Sequence, residues 1–175
     1  MKRKMTPEEI SFVMKIIGGR YKNREINFSK ISIEETGKYK TSFSLPGGTI
    51  VTEDVPTMTS IRNKSILVHE VFHQFQYQAE GIIAVQKLWL SIERLIGNRA
   101  YQYEIGSVSV LDDIKKYEAR AQFIEDFTFR YLQFEEAFKV NNVPLMQDVR
   151  RDLNSYAKIL LRSDIISEII QKFAE

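Results

Sequence analysis

Both histidines of the chain fall in one short stretch, "SILVHEVFHQFQYQ", four residues apart. His69 and His73 at i and i+4 are one helical turn apart, which brings two imidazoles within reach of one ion at Zn–N distances of about 2.0–2.1 Å. Glu70 follows the first histidine on the same side of the helix, placed to reach a water held by the metal rather than the metal itself. This donor set suits hydrolysis: zinc acidifies a water to a pKa of roughly 7, and the glutamate takes its proton. On a helical wheel Leu67, Val68, Val71, Phe72, Phe75 and Ala79 form one side. Ile66, His69, Glu70, His73, Gln76 and Tyr77 form the other, so the histidines occupy a separate, largely polar face.

A zinc site that keeps one position open for water needs a third protein ligand. The chain has no cysteine and only these two histidines, so that ligand must be Asp or Glu. The stretch "KKYEARAQFIEDFTFRYLQF" supplies candidates. Its apolar stripe is Ile124, Phe127, Tyr131, Phe134 and Phe138, and Glu118, Ala121, Gln122 and Glu125 share a different face. Ala121 is small enough to let this helix pack closely on the histidine helix. By spacing Glu118 is the first choice and Glu125 the second. Two imidazoles and a carboxylate without a thiolate fit Zn2+ best among common metals.

Local signals place these segments in a fold. Thr6 as N-cap, Pro7 at the first helical position and Glu9 three residues after the cap predict a helix over about 7–18, stopped by Gly18-Gly19. "FSKISIEE", "TSFSL" and "TIVTE" predict strands, with "PGG" as a turn before the last, and "DVPTMTSIRNKS" reads as loop. Ser65 or Asn63 is the expected cap of the histidine helix, which runs to about Gln78 with Gly81 beyond. "IAVQKLWLSIERLIG" predicts a helix ending at Gly97, and residues 98–112 read as loop. Asp112 or Asp113 is expected to cap a long helix reaching about Phe138. Helices over about 145–161 and 164–173 follow "NNVP", the second capped by Ser163 or Asp164.

A helix, a few strands and then helices alone predict an α+β fold, mainly helical with a small N-terminal sheet. Residues 1–139 are expected to form the domain that carries the site. Residues 140–175 form a C-terminal helical extension packed on it. Val149, Leu153, Ile159, Leu160, Ile165, Ile166, Ile169 and Ile170 make the apolar stripe of that extension, read here as core packing.

The chain has 175 residues with a net charge of +2, from 25 basic and 23 acidic side chains. Such balance leaves no electrostatic footprint for nucleic acid. The basic start "MKRK" reads as a solvated end. No apolar run reaches the length of a membrane span, and no cleavable signal peptide is expected. The expected location is the cytoplasm, or outside after export without such a signal.

In order, "MTPEEISFVMKIIGG", "INFSKISIEE", "LPGGTIV", "SILVHEVFHQFQYQ", "YQY" and "YEARAQFIEDF" resemble bacterial zincin-like proteins known as Vgr-related or Rhs-associated. More distantly they resemble the small HExxH metallopeptidase domains found with contractile secretion systems. The resemblance covers about residues 5–127. It implies a zincin-like domain of gluzincin type, with His69, His73 and Glu118 as zinc ligands and Glu70 as the catalytic glutamate. Gln76 and Gln78 match the glutamines after the motif, and Tyr101 and Tyr103 match a tyrosine pair. Where the family has Met-Thr and Trp, this chain has Val71-Phe72 and Phe75, all on the core side of the wheel.

The expected activity is hydrolysis of peptide bonds in a peptide or protein substrate, with Glu70 as general base. Tyr101 or Tyr103 is considered as a donor to the developing oxyanion, and "TIVTE" as the sheet edge that pairs with an extended substrate. The alternative is a zinc-binding accessory protein that cleaves nothing and docks on a secretion-system partner. A peptidase delivered as a toxin shares the chemistry of the first reading.

Overall fold

Thr6 and Glu9 close the expected capping box: the Thr6 hydroxyl accepts from the Glu9 amide, and the Glu9 carboxylate accepts from the Thr6 amide at 2.7 Å. Helix α1, Pro7–Ile17, follows, and Gly18 ends it with φ 70°. The computed structural model describes residues 1–36, 42–52, 58–81, 84 and 103–175. Most of the segment predicted as a helix up to Gly97 lies outside the described residues.

The described residues form an α+β fold. A four-stranded sheet takes β1 (Lys2–Lys4), β4 (Ser32–Glu35), β5 (Phe43–Leu45) and β6 (Thr49–Thr52) in the order β1-β4-β6-β5. The β1/β4 and β5/β6 pairs are antiparallel, and β4/β6 is parallel with Ile33 opposite Ile50. A separate hairpin pairs β2 (Arg20–Tyr21) with β3 (Arg24–Glu25) through Lys22 and Asn23, both at positive φ. Helices α2 (Ile61–Glu80), α3 (Tyr117–Lys139), α4 (Val143–Arg162) and α5 (Glu168–Ala174) complete the described elements. None of the described helices is long and apolar enough to cross a membrane.

Several local expectations need correction. "MKRK" is solvated as expected, with Met1, Lys2 and Lys4 exposed, but Lys2–Lys4 also form a strand. Arg3 reaches both Glu9 and Glu35 at 2.8 Å, and those contacts hold β1 against β4. "FSKISIEE" is a strand only from Ser32, because the Asn27 side chain accepts from the Ser29 amide and winds Phe28–Lys30 into a 3-10 turn. "TIVTE" is no edge: β6 lies between β4 and β5, and β5 is the edge strand on that side. The cap of α2 is Ser60 rather than Ser65 or Asn63, and Ser65 lies inside the helix, bonded back to the Ile61 carbonyl. Asp113 does not cap α3. It closes the preceding turn by accepting from Ser109 and Val110. Asn142 caps α4 and Ser167 caps α5, in place of Ser163 or Asp164.

One core runs through these elements. Val13, Ile16 and Ile17 of α1 meet Val71, Phe72 and Phe75 of α2 and Phe123, Ile124 and Phe127 of α3 in a single cluster. Leu153, Leu160, Ile165, Ile169 and Ile170 of the C-terminal segment join the same cluster, whereas Ile166 is 52% exposed. Ser167 also donates to the Ile16 carbonyl at 2.8 Å, tying the last helix to the first.

Candidate metal centre

Helix α2 is buried on two sides. Its Leu-Val-Phe side faces the core, and its histidine side faces α3. Ala119 and Ala121 of α3 are fully buried, and their small side chains let the two helix backbones approach. That approach carries Glu118 over the histidines. Its Oε2 lies 3.2 Å from His73 Nε2 and 3.5 Å from His69 Nε2. Ligand atoms of a regular tetrahedron with bonds of about 2.0–2.1 Å are about 3.4 Å apart. The two separations bracket that edge, and one donor atom from each of the three residues lies within 4.8 Å of the others. His69, His73 and Glu118 are therefore a buried group that could hold a metal ion.

The ring nitrogens turned away from this group are engaged as well. His69 Nδ1 lies 2.8 Å from Glu125 Oε2, and His73 Nδ1 lies 2.8 Å from Gln76 Oε1. The Gln76 amide nitrogen donates onward to the Tyr117 carbonyl at 3.2 Å, one residue before Glu118. Such partners fix the tautomer and orientation of a ligating imidazole. Glu125, the second choice for a ligand by spacing, thus stands behind His69, while Glu118 bridges the two Nε2 atoms.

Glu70 is 5% exposed and its Oε2 has no hydrogen-bond partner among the described residues. Burial, the largest influence, raises its pKa, and the neighbouring His69 and His73 pull it down. Burial also opposes a charge on His69, but Glu118, Glu125 and Glu70 outweigh it and lift the imidazole to about 10 in the metal-free protein. For Glu118 burial is again the largest influence and acts upward, but the two histidines together hold the carboxyl well below its ordinary range.

Edge strand β5 supports α2 from the other flank. Ser44 Oγ donates to the Glu70 carbonyl at 2.6 Å, Gln74 donates to the Leu45 carbonyl at 3.0 Å, and the Tyr77 hydroxyl donates to the Ser44 carbonyl at 3.2 Å. The start of α3 is held by buried Arg120, which donates to the Ile114 carbonyl at 2.7 Å and lies 3.1 Å from Asp112. Glu80 at the end of α2 accepts from the Tyr117 and Tyr21 hydroxyls. Ser44, Gln74, Glu80 and Arg120 carried no sequence signal as site residues, because their partners are distant in the chain.

Tyr101 lies outside the described residues. The Tyr103 hydroxyl, considered as an oxyanion donor, donates to Asp126 and pairs with Tyr156 at 3.0 Å, and its ring packs on Phe123. Gln78 bonds both main-chain groups of Asn27, away from the histidines.

In comparison with known proteins, no family model, curated protein or solved structure matches the chain.

Proposed function

We propose that this chain is a zinc-dependent peptidase with a zincin-like, gluzincin-type site. The observation that carries the reading is the buried His69, His73 and Glu118 group with the buried Glu70 carboxylate beside it, whose Oε2 has no hydrogen-bond partner among the described residues. The order of motifs shared with the Vgr-related and Rhs-associated proteins supports it. The donor set fits zinc by chemistry and spacing, two imidazole nitrogens and one carboxylate oxygen at tetrahedral separations. Zinc bound there would polarise a scissile carbonyl and bring the pKa of a water to about 7. Glu70 would take the proton from the attacking water and deliver it to the leaving amine nitrogen as the C–N bond breaks. Glu125 and Gln76 would hold the two imidazoles with their Nε2 atoms turned to the ion.

Replacing Glu70 with Gln tests this directly. Zinc content should stay near one per chain while peptide hydrolysis falls by about 10²–10⁴-fold, the usual weight of a general base. Loss of zinc on that change would make Glu70 a ligand and sink the assignment.

A second reading is a zinc-binding accessory protein that cleaves nothing. It draws on the burial of the site: His69, Glu70, His73 and Glu118 are each 7% exposed or less. Under that reading a zinc-loaded wild type would hydrolyse no peptide in a mixed library, and Glu70→Gln would change nothing.

A further inference from the structure

The C-terminal end of α3, the first turns of α4 and the end of α5 enclose a cleft of about 400 Å³. It begins thirteen residues after Glu118 on the same helix, roughly 20 Å from the metal centre at 1.5 Å per residue. Its volume falls in the range of small-molecule sites, about 300–1,000 Å³.

The wall is aromatic. Tyr131 and Phe134 meet Phe173 edge to face, with centroids 6.3 and 5.2 Å from it. Met146, an adaptable side chain, and Phe138, 66% exposed, extend the apolar surface. Three cations, Lys139, Arg150 and Lys172, also line the cleft, all exposed and none in an ion pair among the described residues, with Lys172 Nζ 5.9 Å from the Phe173 ring centroid. The one acid in the lining is Glu135, and it is already engaged. It accepts from the Tyr131 hydroxyl and lies 3.5 Å from Lys15 Nζ. In a chain whose net charge is only +2, three unpaired cations around one apolar cleft form a local excess.

We propose that this cleft binds an anionic amphiphile of the fatty-acid class. The alkyl chain would lie on Phe134, Phe138, Met146 and Phe173, and the carboxylate among Lys139, Arg150 and Lys172. An inorganic anion would leave the aromatic wall in water, and a neutral lipid would leave the cations unmatched. A stable protein partner needs about 800 Å² of surface on each side, more than a cleft of this size offers.

The test is calorimetric titration of the full chain with dodecanoate below its micelle concentration, beside dodecanol, dodecyltrimethylammonium, acetate and phosphatidylglycerol vesicles. One dodecanoate per chain should bind with a Kd on the order of 10–100 μM, and dodecanol and the cationic amphiphile should bind at least about tenfold more weakly. Arg150→Glu with Lys172→Glu should weaken dodecanoate at least about tenfold, and Met146→Trp should block it by filling the cleft. Circular dichroism of both variants should match wild type. His73→Ala should leave dodecanoate binding unchanged, which separates this site from the metal centre. Equal binding of dodecanol, an unchanged affinity after charge reversal, or binding to the vesicles alone would each overturn the proposal.

Discussion

His69 carries two carboxylates, Glu118 at Nε2 and Glu125 at Nδ1. Before any metal binds, a proton does part of the metal's work by giving those carboxylates a cation to surround. The raised pKa of His69 then makes a stability claim with a definite sign. Below its ordinary value of 6.5 its contribution is fully present, and it is lost as pH rises through about 10. Glu118 is depressed, so its contribution is present above 4.5 and is lost as pH falls. The two limbs report one set of contacts. Glu70, raised by burial, also loses its contribution as pH rises above 4.5. Urea midpoints of the protein in EDTA should therefore be highest near about pH 5 and decline toward pH 10, and His69→Asn should reduce the alkaline limb. A flat wild-type profile over that range would contradict the placement of Glu118 and Glu125 about His69. Zinc uptake near neutrality must also expel the His69 proton, because the ligand is the neutral imidazole. At this scale the sequence was unusually legible. Two histidines one turn apart declare themselves, and the lack of cysteine leaves only carboxylates to complete the set. Gln76 was visible as a polar position and as a match to the resembling family's glutamines, but its bond to Tyr117 was not, since that depends on where a second helix begins.

The His69, His73 and Glu118 group belongs to a pair of elements, α2 and α3. Two contacts behind the imidazoles cross between them: Glu125 to His69, and Tyr117 through Gln76 to His73. Gln76→Ala and Glu125→Ala should each lower zinc affinity about 10–100-fold, the usual cost of removing a partner behind a ligating histidine. Competition with a chromophoric chelator would measure it. Unchanged affinity in both variants would mean that packing alone orients the imidazoles. The helices themselves were legible from apolar spacing, whereas their first residues were not. Ser60 and Ser167 are the caps rather than Ser65 or Asn63 and Ser163 or Asp164, and Asn142 caps α4, for which the sequence named no cap. The strand β1 and the β2–β3 hairpin were illegible as well. "KRK" gains strand character from Glu34, Ile33 and Ser32 opposite it, and Lys22-Asn23 is not among the strong turn pairs.

At the scale of the molecule the C-terminal segment is part of the core. The seam between the last helix and the first passes over Gly18, where an added Cβ would lie 2.1 Å from the Ile166 carbonyl oxygen at a φ of +70°. Gly18→Ala should cost about 2 kcal/mol or more, from backbone strain and displacement of the seam. Gly81→Ala is the control: φ is +62° and nothing among the described residues lies within 4 Å of the added atom, so strain of about 1–2 kcal/mol is expected to dominate. Urea denaturation would compare them, and an equal loss in both would place the chain after α4 away from α1. The α+β class was legible from the order of periodicities. The order of strands was not, since a short apolar run such as "TIVT" does not reveal whether it has one neighbour or two. Its place between β4 and β5 moves the sheet edge to Phe43–Leu45.

Both outer strands of the four-stranded sheet are shielded against other chains. On one side β1 is only three residues long and exposes the charged Lys2 and Lys4, while Arg3 is held by Glu9 and Glu35, a short border that disfavours pairing with another chain. On the other, Tyr77 and Gln74 of α2 occupy main-chain carbonyls of β5. An exposed edge on a sheet of this size is open to pairing with strands from neighbouring molecules. Here the helix that carries His69 and His73 also seals one border, so a substitution at Gln74 or Tyr77 should surface first as turbidity in a concentrated sample, with the His69, His73 and Glu118 group left intact.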